Sequence, residues 1–185
     1  MALLGYDPRE YYTGRGPVEA AAMRIPMDER DVAFRCSLIA TDGARLLDYS
    51  AGHVATEDAR PLIELAGRKL CGRTTHLFPG IQYRHILLWN DGPTEVKTAE
   101  PHENMGRALE EILPSGQEEN RLRQFIWDSY ELLDSLPYNR RRKGEGLAPA
   151  NMLWPWGQGR APRLPAFSVR RGRTGAVIAA VDVVR

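Results

Sequence analysis

The sequence predicts an α/β fold of the α+β kind, a mixed β-sheet flanked by helices, on three observations. In "DVAFRCSLIAT", residues 31 to 41, Val32, Phe34, Cys36, Leu38 and Ala40 alternate with Ala33, Arg35, Ser37 and Thr41, the period of a strand. Residues 56 to 70 and 118 to 136 carry apolar side chains at helical spacing. The run "GAVIAAVDVV" from Gly175 is small and β-branched throughout, the pattern of a strand buried on both faces in a parallel sheet.

Taken in order, residues 1 to 31 are rich in Gly, Pro, Tyr and charge, and "YYTGRGP" reads as an ordered loop. Asp42-Gly43 joins the first strand to "ARLLDYS" through a tight turn, so residues 32 to 50 form an antiparallel hairpin with strands near 32–41 and 44–50. "TEDARPLIELAGRKL" places Ala59, Leu62, Ile63, Ala66 and Leu70 on one helix face, with Thr56 as the expected N-cap. "IQYRHILLWNDGPTEVKT" reads as a strand near 82–90, a turn at Asn90-Asp91-Gly92-Pro93 and a returning strand. A short helix around Met105, Ala108, Leu109 and Ile112 ends before Pro114. A longer one over 118–136 follows, with a stripe of Leu122, Phe125, Ile126, Leu132, Leu133 and Leu136. From 138 to 165 the chain lacks periodicity, and "PANMLWPWGQG" is framed by residues that favour neither helix nor strand. The last predicted strand covers 175–181. A strand of that type is normally covered on both faces, so the sequence reads as part of something larger.

The 185 residues are one domain's worth, and 43% hydrophobic with 26% charged residues is ordinary globular composition. A formal charge of +1 gives no electrostatic case for nucleic acid or membrane as partner. Cys36 and Cys71 lie far apart and outside any CxxC pattern, which argues against a disulfide framework and for a reducing cytoplasm. There is no HExxH, DxDxDG, GxSxG, Walker or Rossmann pattern, and the GxG of "GQGRAP" lies between tryptophans and prolines.

The residues left for chemistry are scattered arginines and histidines. Arg15 lies between two glycines, where it is either a solvated turn residue or a fork for a carboxylate or phosphate. Arg35 sits mid-strand among apolar neighbours and requires a partner, an acid of the chain or a bound anion. His53 follows a turn of small residues, Arg84 and His85 point to opposite faces of one strand, and His102 stands in a loop before a helix. These features amount to a polar, arginine-rich, anion-binding face.

"ALLGYDPREYYTGRGPVEA", "DVAFRCSLIAT", "DYSAGH", "YRHILLW", "PANMLWPWGQG" and "GAVIAAVD", in this order, resemble the central part of the archaeal-type, cofactor-independent phosphoglycerate mutases of the alkaline phosphatase superfamily. The variant with "DYSAGH" and "PHE" is also similar to a branch proposed as homoserine kinases. The resemblance implies phosphoryl transfer through a serine activated by two divalent metals, manganese, zinc or magnesium. It places that serine and the metal ligands outside this chain, so no catalytic or metal-binding residue and no activity are expected here. It implies flanking catalytic-domain segments at 1–31 and 166–185, and a substrate-binding insert at 32–165. The partners implied are a phosphorylated small-molecule substrate and the remainder of the polypeptide. Arg15, Arg35, Arg84 and Arg160 become the expected clamp, with His53, His85 and His102. Asn151, Trp156 and Gln158 line the cleft in the resemblance, while Trp154 or Trp156 plugs a gap between helix and sheet.

Overall fold

The computed structural model describes residues 4–175. It begins with α1 (Pro8–Tyr11), capped by the Asp7 carboxylate, which accepts from the Arg9 N–H at 2.9 Å. α2 (Arg15–Ala22) follows at once, so "YYTGRGP" is not a loop throughout: Gly14 is the N-cap and Arg15 already lies in the first helical turn. Next come β1 (Val32–Thr41), β2 (Leu46–Asp48), α3 (Thr56–Leu70), β3 (Thr75–Phe78) and β4 (Arg84–Trp89). β5 (Val96–Lys97), a 3-10 turn at Pro101–Glu103, α4 (Leu109–Ile112) and β6 (Ser115–Gly116) connect to α5 (Glu119–Asp134) and α6 (Pro137–Gly144). β7 (Met152–Gly159) and α7 (Phe167–Arg171) complete the described part.

β1 is the spine of the sheet. β4 pairs along Val32–Ser37, β7 along Ala33–Ile39 and β2 at Ala40–Thr41, while β3 pairs with β4. Every pairing among the described residues is antiparallel. The parallel strand expected at 175–181 lies outside the described residues, apart from Gly175.

The two faces of β1 are both covered, but differently. Val32, Phe34, Cys36 and Leu38 meet Leu87 and Trp89 of β4, Ala59, Leu62, Ile63 and Ala66 of α3, and Leu122 and Leu133 of α5. On the other face α2 packs Ala20 against Ala33, Ile86 and Leu88. This second cover makes all ten residues of β1 buried, where alternation alone predicts one solvated face.

The structure departs from several sequence expectations. "MLWPWGQG" is β7, an eight-residue strand. Pro155 is tolerated because β7 pairs only with β1, so its other side requires no ladder N–H. That outer side is covered all the same: Leu153 N–H donates to Ser129 Oγ of α5 at 2.9 Å, and Gly157 N–H to Thr98 Oγ1 at 3.2 Å. α6 is a second element inside the stretch that lacks sequence periodicity; Pro137 opens it at a position where no N–H is needed. The strand after the turn at 90–93 does not return along β4. β5 pairs with β6 instead, and β4 takes β3 as its neighbour, an element with no clear sequence signal. Thr56 is the first helical residue rather than the cap; its hydroxyl accepts from Gln82 N–H at 3.1 Å. Among the described residues no helix is long and apolar enough to cross a membrane.

Candidate anion-binding site

The position of α2 is set by backbone contact. A side-chain carbon on Gly16 would collide with the Ala33 carbonyl oxygen of β1, and one on Gly159 with the Thr13 carbonyl oxygen. Glycine at both places lets the start of α2 lie directly on β1 and β7. The consequence is that Arg15 and Glu19, one turn apart on α2, stand over Arg35 of β1.

These residues border a cavity of about 240 Å³ lined by Arg15, Arg35, Ser37, Tyr49, Tyr83, Pro101, His102 and Trp156. It is slightly smaller than the roughly 300–1,000 Å³ pockets that hold drug-sized ligands, a scale suited to a small metabolite. Glu19 Oε1 accepts from Arg15 Nε at 2.7 Å and also from Arg35 Nη1. Arg35 is only 4% exposed, with its guanidinium 5.3 Å from the Trp156 ring centre. Burial pulls its pKa below the usual arginine value, and the Glu19 carboxylate opposes that shift. Arg35 Nε has no hydrogen-bond partner, and neither does the buried Nε of Arg84. Leaving such a donor unmet costs about 1–3 kcal/mol, so each N–H is an invitation to an acceptor.

The rest of the wall is aromatic. Trp156 N–H donates to Ser37 Oγ at 2.9 Å, fixing the indole. His102 lies 5.6 Å from the Trp156 ring and 6.2 Å from Tyr49, and Tyr49 stacks edge-on to Tyr83 at 5.5 Å. His53 sits at the outer end of this cluster, 6.4 Å from Tyr49 and 6.3 Å from Tyr83. It is presented by three consecutive left-handed residues, Ala51, Gly52 and His53, with φ of 52°, 66° and 51°. Non-glycine residues hold that conformation only where surroundings impose it, and such places cluster at binding sites. Arg84 joins through its guanidinium, 5.6 Å from the Tyr83 ring centre.

Thus Arg15, Arg35, His53, Arg84, His102 and Trp156 are brought together, and four predicted residues are not. His85 points to the opposite face of β4, where its Nδ1 accepts from Gly80 N–H at 3.1 Å. Burial, with the charges of Arg35 and Arg60, lowers its pKa to about 3, so it is a neutral core residue. Asn151 pairs like a strand residue with both backbone groups of Thr41 and with Asp134. Gln158 bonds Thr98 at 2.8 Å and the Val96 carbonyl, tying β5 to β7. The Arg160 side chain is exposed, and its backbone carbonyl holds the Thr13 hydroxyl. Of the two tryptophans, Trp154 is fully buried with its N–H on the Ala99 carbonyl, and Trp156 walls the cavity. Glu19, Ser37, Tyr49 and Tyr83 were not foreseen. Only "RGPVE", an Arg and a Glu four apart, carries a local signal, since the remaining three depend on strand pairing and a distant turn.

Among the described residues, Glu100, His102 and Glu103 bring donor atoms within 4.8 Å of one another, but all three are exposed. A catalytic metal pair requires more ligands, oriented by buried outer-shell partners, and these residues do not fit it. A larger groove of about 440 Å³ runs between α3 and β3 past Glu64, Cys71 and His76, and it contains none of the unmet buried donors.

Residues 1–139 match the family model described as 2,3-bisphosphoglycerate-independent phosphoglycerate mutase. A protein of that description from Methanosarcina barkeri is 44% identical over 186 residues, aligned with all of this chain and 47% of its own length. A probable one from Geobacter sulfurreducens is 42% identical over 189 residues, again with 47% of its length covered. The cofactor-independent phosphoglycerate mutase of Thermoplasma acidophilum has the same fold, with a TM-score of 0.67 at 24% identity over 91% of this chain and 47% of that structure. The chain therefore spans about half the length of the curated relatives it matches. It belongs to the 2,3-bisphosphoglycerate-independent phosphoglycerate mutase family.

Proposed function

We propose that this chain is the substrate-binding part of a phosphoglycerate mutase, an isomerase that interconverts 3-phosphoglycerate and 2-phosphoglycerate. The observation that carries the reading is the convergence of Arg15 and the buried Arg35 on one cavity, which they line together with His102 and Trp156. Glu19 holds Arg35 by Nη1, which fixes the guanidinium at the cavity wall as a positive charge for a phosphate or carboxylate. Arg15 is held by Nε and keeps both terminal nitrogens. The charged side chains that line the cavity are Arg15 and Arg35, a lining that suits a phosphorylated acid better than the ammonium of homoserine.

The clamp includes α2, so we place the start of the substrate-binding unit near Thr13 rather than at residue 32. The serine and the two divalent metals of the reaction belong to parts of the mutase other than the described residues. This chain contributes substrate capture, orientation and exclusion of water by the aromatic wall. Calorimetric titration checks the reading. 3-Phosphoglycerate should bind, homoserine should not, and Arg35→Met should weaken 3-phosphoglycerate at least about tenfold. Equal binding of both compounds, or an unaffected Arg35→Met, rejects it.

A further inference from the structure

Among the described residues, Glu19 is the one acid that forms a salt bridge with Arg15 and Arg35. It is 5% exposed, it adjoins the anion site, and its Oε1 atom serves both guanidiniums. A clamp built only for tight anion binding gains nothing from a carboxylate that takes a donor of each guanidinium and offsets their charge. We propose that Glu19 is a specificity-determining residue, an internal competitor that reserves the arginine pair for doubly charged phosphate and turns away singly charged carboxylates. The inference rests on the cavity being the substrate site.

Selectivity arises here by exchange of one anion for another. An entering carboxylate offers Arg15 the same charge and the same oxygen geometry as Glu19, so replacing one by the other changes little. A phosphate dianion brings about two negative charges and three acceptor oxygens, and the exchange becomes favourable. The low dielectric of a buried site magnifies this difference. The two arginines take unequal parts. Arg35 is confined by β1, the Trp156 ring and burial, with 5% of its side chain exposed. Arg15 stands in the first turn of α2 with 32% of its side chain exposed. Arg15 is therefore the arm that leaves Glu19 for the ligand, while Glu19 continues to hold Arg35 by Nη1.

The test uses inorganic phosphate, kept above its second dissociation, and acetate as probes, each titrated into the protein and into Glu19→Gln and Glu19→Asp. The native protein should prefer phosphate. Glu19→Gln should bind both anions more tightly and lower the phosphate-to-acetate affinity ratio about tenfold, and Glu19→Asp should restore the ratio. A folded Glu19→Gln with the native ratio overturns the proposal. If phosphate fails to bind the native protein at all, the site reading falls and this inference with it. A measurement on the native protein covers poor folding of the variants. The Arg15 Nε–H resonance should shift with phosphate and stay in place with acetate; a shift with both, or with neither, also overturns the proposal.

Discussion

The two faces of β1 are made of neighbouring residues and behave as different materials. Val32, Phe34, Cys36 and Leu38 are sealed between α3, α5 and the sheet, with their contacts complete. Arg35 and Ser37, one step along on the other face, lie equally deep, yet Arg35 keeps an unmet donor. Burial is the same on both sides, so depth is not what distinguishes site from core. The difference is that α2 covers its face with glycine, small residues and a single carboxylate, leaving a cavity lined by Arg15 and Arg35. A strand period of two puts the rigid core and the binding groups on the same backbone, so packing on one face positions chemistry on the other.

The sharpest way to break that comparison is to change Phe34 and Arg35 separately. Phe34 is fully buried, 6.5 Å from the Trp89 ring centre, and Phe34→Ala should cost about 3–5 kcal/mol of stability, read by urea unfolding. Arg35→Met should cost less, about 1–3 kcal/mol, because Glu19 retains Arg15 and the methionine stem fills the site. Its main effect should be on anion binding. If Arg35→Met destabilises as much as Phe34→Ala with anion affinity intact, the buried ion pair is structural and the contrast between the faces is lost.

What the sequence revealed follows the same division. The hairpin, α3 and α5 were legible because apolar periodicity reports burial against a partner, and that face is mostly apolar. β7 was not, because its eight residues include Pro155, Gly157 and Gly159, each a strand breaker out of context. Its glycines exist to admit α2, a contact with a segment more than a hundred residues earlier in the chain, and no local pattern encodes that. Arg15, Arg35 and His102 were identifiable as polar residues in unusual places, and their convergence on one face was expected from the family resemblance rather than from any local pattern. Asn151, Gln158 and Arg160 were carried in by their neighbourhood. Two of them serve as hydrogen-bonding struts, and Arg160 contributes its backbone.

His85 offers a second, smaller way to sharpen the comparison, since it is the titratable residue of β4 on the core side. Its pKa in the fold is about 3, lowered by burial first and then by the Arg35 and Arg60 charges, against an unfolded value near 6.5. The neutral form is the folded form. Its contribution is therefore complete above about pH 6.5 and is lost as pH falls from there toward about 3, at roughly 1.4 kcal/mol per pH unit at most. Thermal unfolding across that window should fall less steeply in His85→Gln, which keeps an acceptor for Gly80 N–H. Identical slopes in the two proteins would mean that His85 is already charged in the fold and that this face is wetter than its packing implies.

The smallest expected effect comes from Arg160, the predicted clamp residue that the structure places farthest from the role. Its side chain is exposed, and among the described residues it forms no salt bridge. The structural duty at this position belongs to the backbone, whose carbonyl accepts the Thr13 hydroxyl at 2.6 Å and so helps hold the start of α2 against β7. Alanine keeps that carbonyl. Arg160→Ala should therefore shift stability by less than about 0.5 kcal/mol. It should also leave phosphate affinity within about twofold, the loss of one screened, exposed charge. Arg15→Ala removes a charge from the same neighbourhood and should weaken phosphate by about tenfold or more, because that guanidinium borders the cavity and is directed by Glu19. Measuring the two variants side by side at low and high salt separates general attraction from direct contact. Only the Arg15 effect should survive added salt, and a loss in Arg160→Ala that matches it would extend the site beyond the cavity to the segment after β7.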